Sequence, residues 1–154
     1  MEAGTFTPFG TLIHAEGRAP DFQAGGRSVG WAVPFETEGR PQVTVVVSPF
    51  QGLRFWKLER HFGVTRAFIP FGGSPAVVAV AASTAHPDRD LVPRPEDVRA
   101  FLIDDRKGYL LKRGTWHTLD RFSLRPPDSV FAVLSDVETS EDLARGYAAL
   151  VGGS

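Results

Sequence analysis

The sequence predicts an all-β domain closed by a C-terminal helix, and three observations predict it. Sixteen glycines and 12 prolines are spread along the whole chain, punctuation that breaks helices and suits short strands joined by turns. The apolar runs are each a handful of residues, and several are rich in β-branched side chains, which favours strand over helix. One segment, at the C-terminal end, carries helical spacing instead.

The elements follow in order. Gln42 to Phe50, "QVTVVVSPF", reads as a β-branched strand, as does Ala76 to Ser83, "AVVAVAAS". Arg94 to Asp97, "RPED", reads as one short helical turn, and His86 to Pro95 as a long exposed loop. Val98 to Asp104 and Gly108 to Gly114 read as two strands, and "DRKG" between them suits a hairpin turn. Ser129 to Val137, "SVFAVLSDV", is a further strand. In "TSEDLARGYAALVGG", Ser140 suits an N-cap, Glu141 and Asp142 favour the positive end of a helix, and Leu143, Tyr147 and Leu150 share a helical face. Regularly spaced short strands point to a sandwich or barrel.

The totals bound the function. A chain of 154 residues fits one domain, residues 1–154, with a substantial core. A hydrophobic fraction of 42%, a charged fraction of 23% and a net charge of −1 give no clustered basic face for nucleic acid and no reason to expect an anionic membrane surface as partner. The absence of cysteine excludes disulfides and thiolate chemistry. The N-terminal residues lack a signal-like apolar core, and the longest apolar run, Ala76 to Ala82, is too short to span a bilayer. A cytoplasmic protein is the expectation.

The chemistry concentrates in "KLERHFGVTRAFIP", Lys57 to Pro70. On a strand Glu59 and His61 point one way and Arg60 the other, with the first two Cα atoms roughly 6.5–7 Å apart. That separation suits two groups gripping one small ligand or one ion, or a Glu59 paired with a nearby cation on the wall. Phe55 and Lys57 share their face if the strand is regular. In "RGTWHTL", Gly114 makes a turn, and Trp116 and His117 point to opposite faces of the next strand. Arg66 has no lone pair to give a metal. It either grips a substrate carboxylate in a bidentate fork, plugs the site by pairing with Glu59, or points outward.

"FTPFGTLI", "LERHFGVTRAFIP" and "VRAFLIDDRKGYLLKRGTWHTL" resemble, in order and spacing, the ureidoglycolate lyase (ureidoglycolate hydrolase) family of allantoin breakdown and purine catabolism. The resemblance runs from about Phe6 to Val137. It implies a cupin-like (jelly-roll) small β-barrel, usually a homodimer, with the active site in the barrel mouth. It implies that Glu59, His61, Arg66 and His117 face one cavity, the first three and the last standing where cupin ligands stand. Arg66 departs from the family, which commonly has glutamine there, and Thr118 and Leu119 replace a His-Pro pair.

The implied reaction releases urea and glyoxylate from ureidoglycolate, with Glu59, His61 and His117 as acid–base residues. Arg66, Lys57, Phe55 and Trp116 are the expected substrate contacts. If a divalent metal is used, Glu59, His61 and His117 are its three ligands, and N/O donors do not choose among nickel, manganese, zinc and iron. The competing expectation is a cupin that binds a small anionic metabolite, a sugar acid or hydroxy acid, without turnover or with different catalysis.

Overall fold

A computed structural model describes residues 1–84, 91–119, 122–137 and 142–150. After a single helical turn, α1 (Ala3–Phe6), the chain forms β1 (Gly10–Ile13), the β2 (Phe22–Ala24)–β3 (Ser28–Gly30) hairpin, β4 (Pro41–Ser48), β5 (Arg54–Arg60), β6 (Arg66–Gly73) and β7 (Ala76–Ala81). Then come a 3-10 turn at Pro95–Asp97, β8 (Arg99–Ile103), β9 (Gly108–Leu111), β10 (Trp116–Thr118), β11 (Phe122–Ser123), β12 (Ser129–Asp136) and β13 (Asp142–Leu150). No described helix is long and apolar enough to cross a membrane.

Two antiparallel sheets carry the architecture. One runs β1-β9-β6-β12-β4; the other runs β11-β7-β10-β5-β13, with β8 on β7. Their facing sides close over one cluster, to which Phe68, Tyr109, Phe131 and Val133 come from the first sheet and Val78, Val80 and Ile103 from the second. Phe68 stacks on Tyr109 with ring centroids 5.0 Å apart, and Phe6 meets Phe101 edge-on at 5.3 Å. A second cluster covers the other side of the second sheet, with Leu58, Val77, Ala79, Ala81 and Trp116. All six residues of β7 are buried, as a strand covered on both faces requires. The all-β expectation is borne out by these sheets.

Two expectations are corrected. The C-terminal helix is absent among the described residues, which leave out Ser140 and Glu141: Asp142–Leu150 is a strand that pairs antiparallel with β5, Leu143 opposite Glu59. Local helical spacing loses to the edge of β5, whose backbone groups need a ladder partner. The β8–β9 hairpin is also absent. Asp104 to Lys107 does turn, with the Lys107 N–H donating to the Asp104 carbonyl and the Arg106 N–H to the Asp104 carboxylate. That turn carries the chain from one sheet to the other, because β8 pairs with β7 while β9 pairs with β1 and β6. Burying Ile103 and Tyr109 in the same core from opposite sheets is what the crossing achieves. The "RPED" turn forms as expected. Residues 86–90 of the expected long loop lie outside the described residues; 91–94 carry no regular structure.

Candidate active site

Four side chains, carried by β5 and the residue after it, β6 and β10, converge at one end of the space between the sheets. Glu59 sits near the end of β5, directly opposite His117 on β10, so the two side chains project from the same face of adjacent strands. His61 follows β5 by one residue. Its carbonyl accepts from the Gly114 N–H at 2.7 Å, tying the end of β5 to the turn before β10. Gly114 has φ +78°, and a Cβ there would meet Ser83 Oγ at 2.6 Å and Phe62 at 2.7 Å, so the turn needs glycine. Arg66 opens β6 in the opposite sheet. The turn before it is held from outside: Thr65 N–H donates to Glu36 O at 2.9 Å, Glu38 N–H to Gly63 O at 2.8 Å, and Thr37 bridges Val64.

The side chains meet. Arg66 Nη1 lies 3.1 Å from Glu59 Oε1 and 2.9 Å from His61 Nε2. Glu59 Oε1 is 3.6 Å from His61 Nε2 and 3.7 Å from His117 Nδ1. The two imidazoles stack at 5.6 Å, and the edge of Phe68 faces His117 at 6.3 Å. Glu59, His61 and His117 are all buried, and the Arg66 side chain retains 20% exposure.

Hydrogen-bond logic assigns the protons. A guanidinium only donates, so His61 Nε2 accepts from Arg66 and its ring hydrogen stands on Nδ1. A carbonyl only accepts, so His117 carries its hydrogen on Nδ1, which lies 3.1 Å from Thr118 O. The cluster thus holds an accepting imidazole, a donating imidazole, and a carboxylate between them.

Glu59, His61 and His117 offer ligand atoms all within 4.8 Å of one another, and N/O donors of this kind suit nickel, manganese, zinc or iron. The guanidinium stands in the way. It takes the lone pair of His61 Nε2 and shares Oε1 of Glu59, so in this arrangement the residues do not fit a metal.

Beside Arg66 lies a cavity of about 50 Å³, walled by Val46, Ser48, Phe68, Leu119, Phe131 and Val133. A larger hollow of about 360 Å³ shares Leu119 with it and contains Phe55, Lys57, Arg54 and Trp56. Phe55 and Lys57 therefore border this neighbouring hollow. Phe55 packs in the cluster of Leu58 and Trp116, and the β13 ladder is irregular across Phe55 and Lys57, which disturbs simple alternation there. Trp116 is not brought to the cluster. It faces away from His117, fully buried, donating from Nε1 to Thr84 Oγ1 at 3.0 Å.

Arg60 also points away from Glu59, as alternation requires, but it is fully buried rather than solvated. Its guanidinium lies 4.8 Å from the Phe62 ring centre and 4.5 Å from that of Trp116, and Nη1 donates to Thr84 O and Oγ1. Charge buried this way is supported by aromatic faces and hydrogen bonds. Ser48 is the cavity residue that sequence reading passed over. Its signal was a hydroxyl closing an otherwise β-branched run, and it is 2% exposed.

Comparison with known proteins agrees with the residue pattern. The Ureidoglycolate lyase family model matches residues 1–149. A ureidoglycolate lyase from Azotobacter vinelandii is 34% identical over 124 residues, covering 76% of this chain and 71% of that protein. One from Pseudomonas paraeruginosa is 38% identical over 120 residues, covering 73% and 67%. Among solved structures, RmlC from Streptococcus suis in complex with dTDP-D-xylose overlays 67% of this chain and 47% of its own, with TM-score 0.41 and 14% identity.

Proposed function

The chain belongs to the ureidoglycolate lyase family, and from that premise we propose that it releases urea and glyoxylate from ureidoglycolate by proton transfer within the cluster of Glu59, His61, Arg66 and His117. The observation that carries the residue roles is the convergence of an accepting imidazole, a donating imidazole, a carboxylate and a guanidinium from both sheets onto one point.

Ureidoglycolate bears a hydroxyl, a carboxylate and a ureido nitrogen at one carbon. The Arg66 guanidinium presents parallel N–H groups to the substrate carboxylate. The substrate hydroxyl takes the place of Nη1 at His61 Nε2 and gives up its proton there. The O–H electron pair becomes the aldehyde C=O, the C–N bond breaks, and its pair goes to the ureido nitrogen. That nitrogen takes a proton from His117, which enters the cycle as the imidazolium and leaves this step as the neutral ring. Glu59, between the two rings, steadies the imidazolium at His61 and relays the proton back to His117. Glyoxylate and urea leave in equal amounts.

The cavity beside Arg66 is narrow, about 50 Å³, and substrate binding draws the Arg66 side chain off Glu59 and His61 toward the carboxylate. Assay of purified protein with racemic ureidoglycolate tests the reading: urea and glyoxylate should appear one for one. Absence of both above background, with and without added divalent ion, would refute it.

The proposal includes a homodimer. Its support is β4, an edge strand with seven of eight residues exposed. Val43, Val45 and Val47 are 69%, 59% and 56% exposed. A long apolar edge of this kind invites pairing with a second copy.

A further inference from the structure

We infer that Arg66 is a built-in cation standing where a divalent metal would sit, so that this protein runs its site without a metal ion. The inference deepens the reading of the same cluster and rests on it only for what the cluster is for.

The spacing of the donors is nearly that of a metal site. Glu59 Oε1 lies 3.6 Å from His61 Nε2 and 3.7 Å from His117 Nδ1. A tetrahedral ion with ligand bonds of about 2.1 Å would hold donors roughly 3.4 Å apart. The position is nevertheless taken. Arg66 Nη1 is within 3.1 Å of Oε1 and 2.9 Å of Nε2. An imidazole nitrogen has one lone pair, and His61 Nε2 directs its own to the guanidinium. His117 Nδ1, the nitrogen nearest Glu59, carries hydrogen toward Thr118 O. An entering ion would have to break the Arg66 contacts and tolerate a permanent positive charge beside it.

The guanidinium is anchored for this role. Arg66 begins β6, whose pairing with β9 sets Arg66 opposite Leu111. Its Cζ lies 5.5 Å from the Phe68 ring centre, two residues on and on the same face. Leu111, Val64 and Thr115 close the other side with no room for a water between them. The same cation that neutralises Glu59 in the resting site is positioned to meet the carboxylate of the substrate, so one group supplies the positive charge that a metal supplies elsewhere.

The test is calorimetric titration of chelator-treated protein with nickel chloride, repeated with zinc and manganese. Wild type should show no stoichiometric binding. Arg66→Gln should gain a single site at least about a hundredfold tighter, and Arg66→Gln/Glu59→Gln should lose it again, placing the gained site at this cluster. Arg66→Lys should bind no more than wild type. Arg66→Met serves in place of Arg66→Gln if the latter does not fold, judged by circular dichroism. Stoichiometric tight binding by wild type would overturn the inference, as would a folded Arg66→Gln and Arg66→Met that gain none. Because the readout is metal binding, these outcomes stand apart from turnover. A wild type that cleaves ureidoglycolate only when loaded with metal sinks this inference and leaves the lyase reading intact.

Discussion

In the proposed reaction Glu59, His61 and His117 act through what they can accept and donate, and their conservative variants separate chemistry from packing. His117→Asn keeps a donor of similar size on β10 but removes the titrating ring. We expect kcat to fall by about 10²–10⁴-fold, the usual worth of a positioned acid or base, with KM little changed. Arg66→Met should act on both parameters, because the proposed carboxylate grip serves the ground state as well as the transition state; steady-state kinetics read the split. Arg60 and Trp116 belong to another category. They sit on the far face of the strands that hold Glu59 and His117, joined through Thr84. Trp116→Ala should cost about 3–5 kcal/mol in urea unfolding, as loss of a large buried ring does.

At the scale of elements, β13 and β4 carry the sharpest expectations. β13 covers the free edge of β5, the strand that bears Glu59. Truncation before Asp142 should speed hydrogen exchange at the β5 amides and lower kcat together; unchanged exchange would show that the edge is satisfied otherwise. The exposed edge of β4 predicts that Val45→Lys shifts the proposed dimer toward monomer in sedimentation, with the fold kept. Elements also show what sequence legibility amounts to. β4, β7, β8 and β12 were readable because a β-branched or apolar run states its own structure. β13 was not, because Leu143, Tyr147 and Leu150 fit a helix locally and only the open edge of β5 decides against it. The turn after β8 was readable as a turn, but nothing in "DRKG" says that it leads to the other sheet.

At the scale of the whole molecule, the site exists only when the two sheets close. Arg66 comes from one sheet and Glu59 and His117 from the other, so the core of Phe68, Tyr109, Val78 and Val80 sets their meeting distance. Alternation along "LERH" and "TWHT" showed which side chains share a face, while the pairing of His117 opposite Glu59 and the seating of Arg66 on both needed the fold. A ligand that bridges the sheets should stabilise their closure. Oxalurate keeps the carboxylate and ureido groups of the substrate but has no hydroxyl proton to lose. At a hundredfold its Kd it should raise unfolding free energy by about 2.7 kcal/mol, and Arg66→Met should abolish most of that gain at the same concentration.

The most direct measurement is the rate of glyoxylate release from ureidoglycolate by wild type and His117→Asn, side by side, after both have been treated with chelator. The account predicts that wild type releases glyoxylate and urea in equal amounts and that the variant, folded to the same melting temperature, is at least about a hundredfold slower. A silent wild type, or a variant that keeps pace with it, would contradict the account.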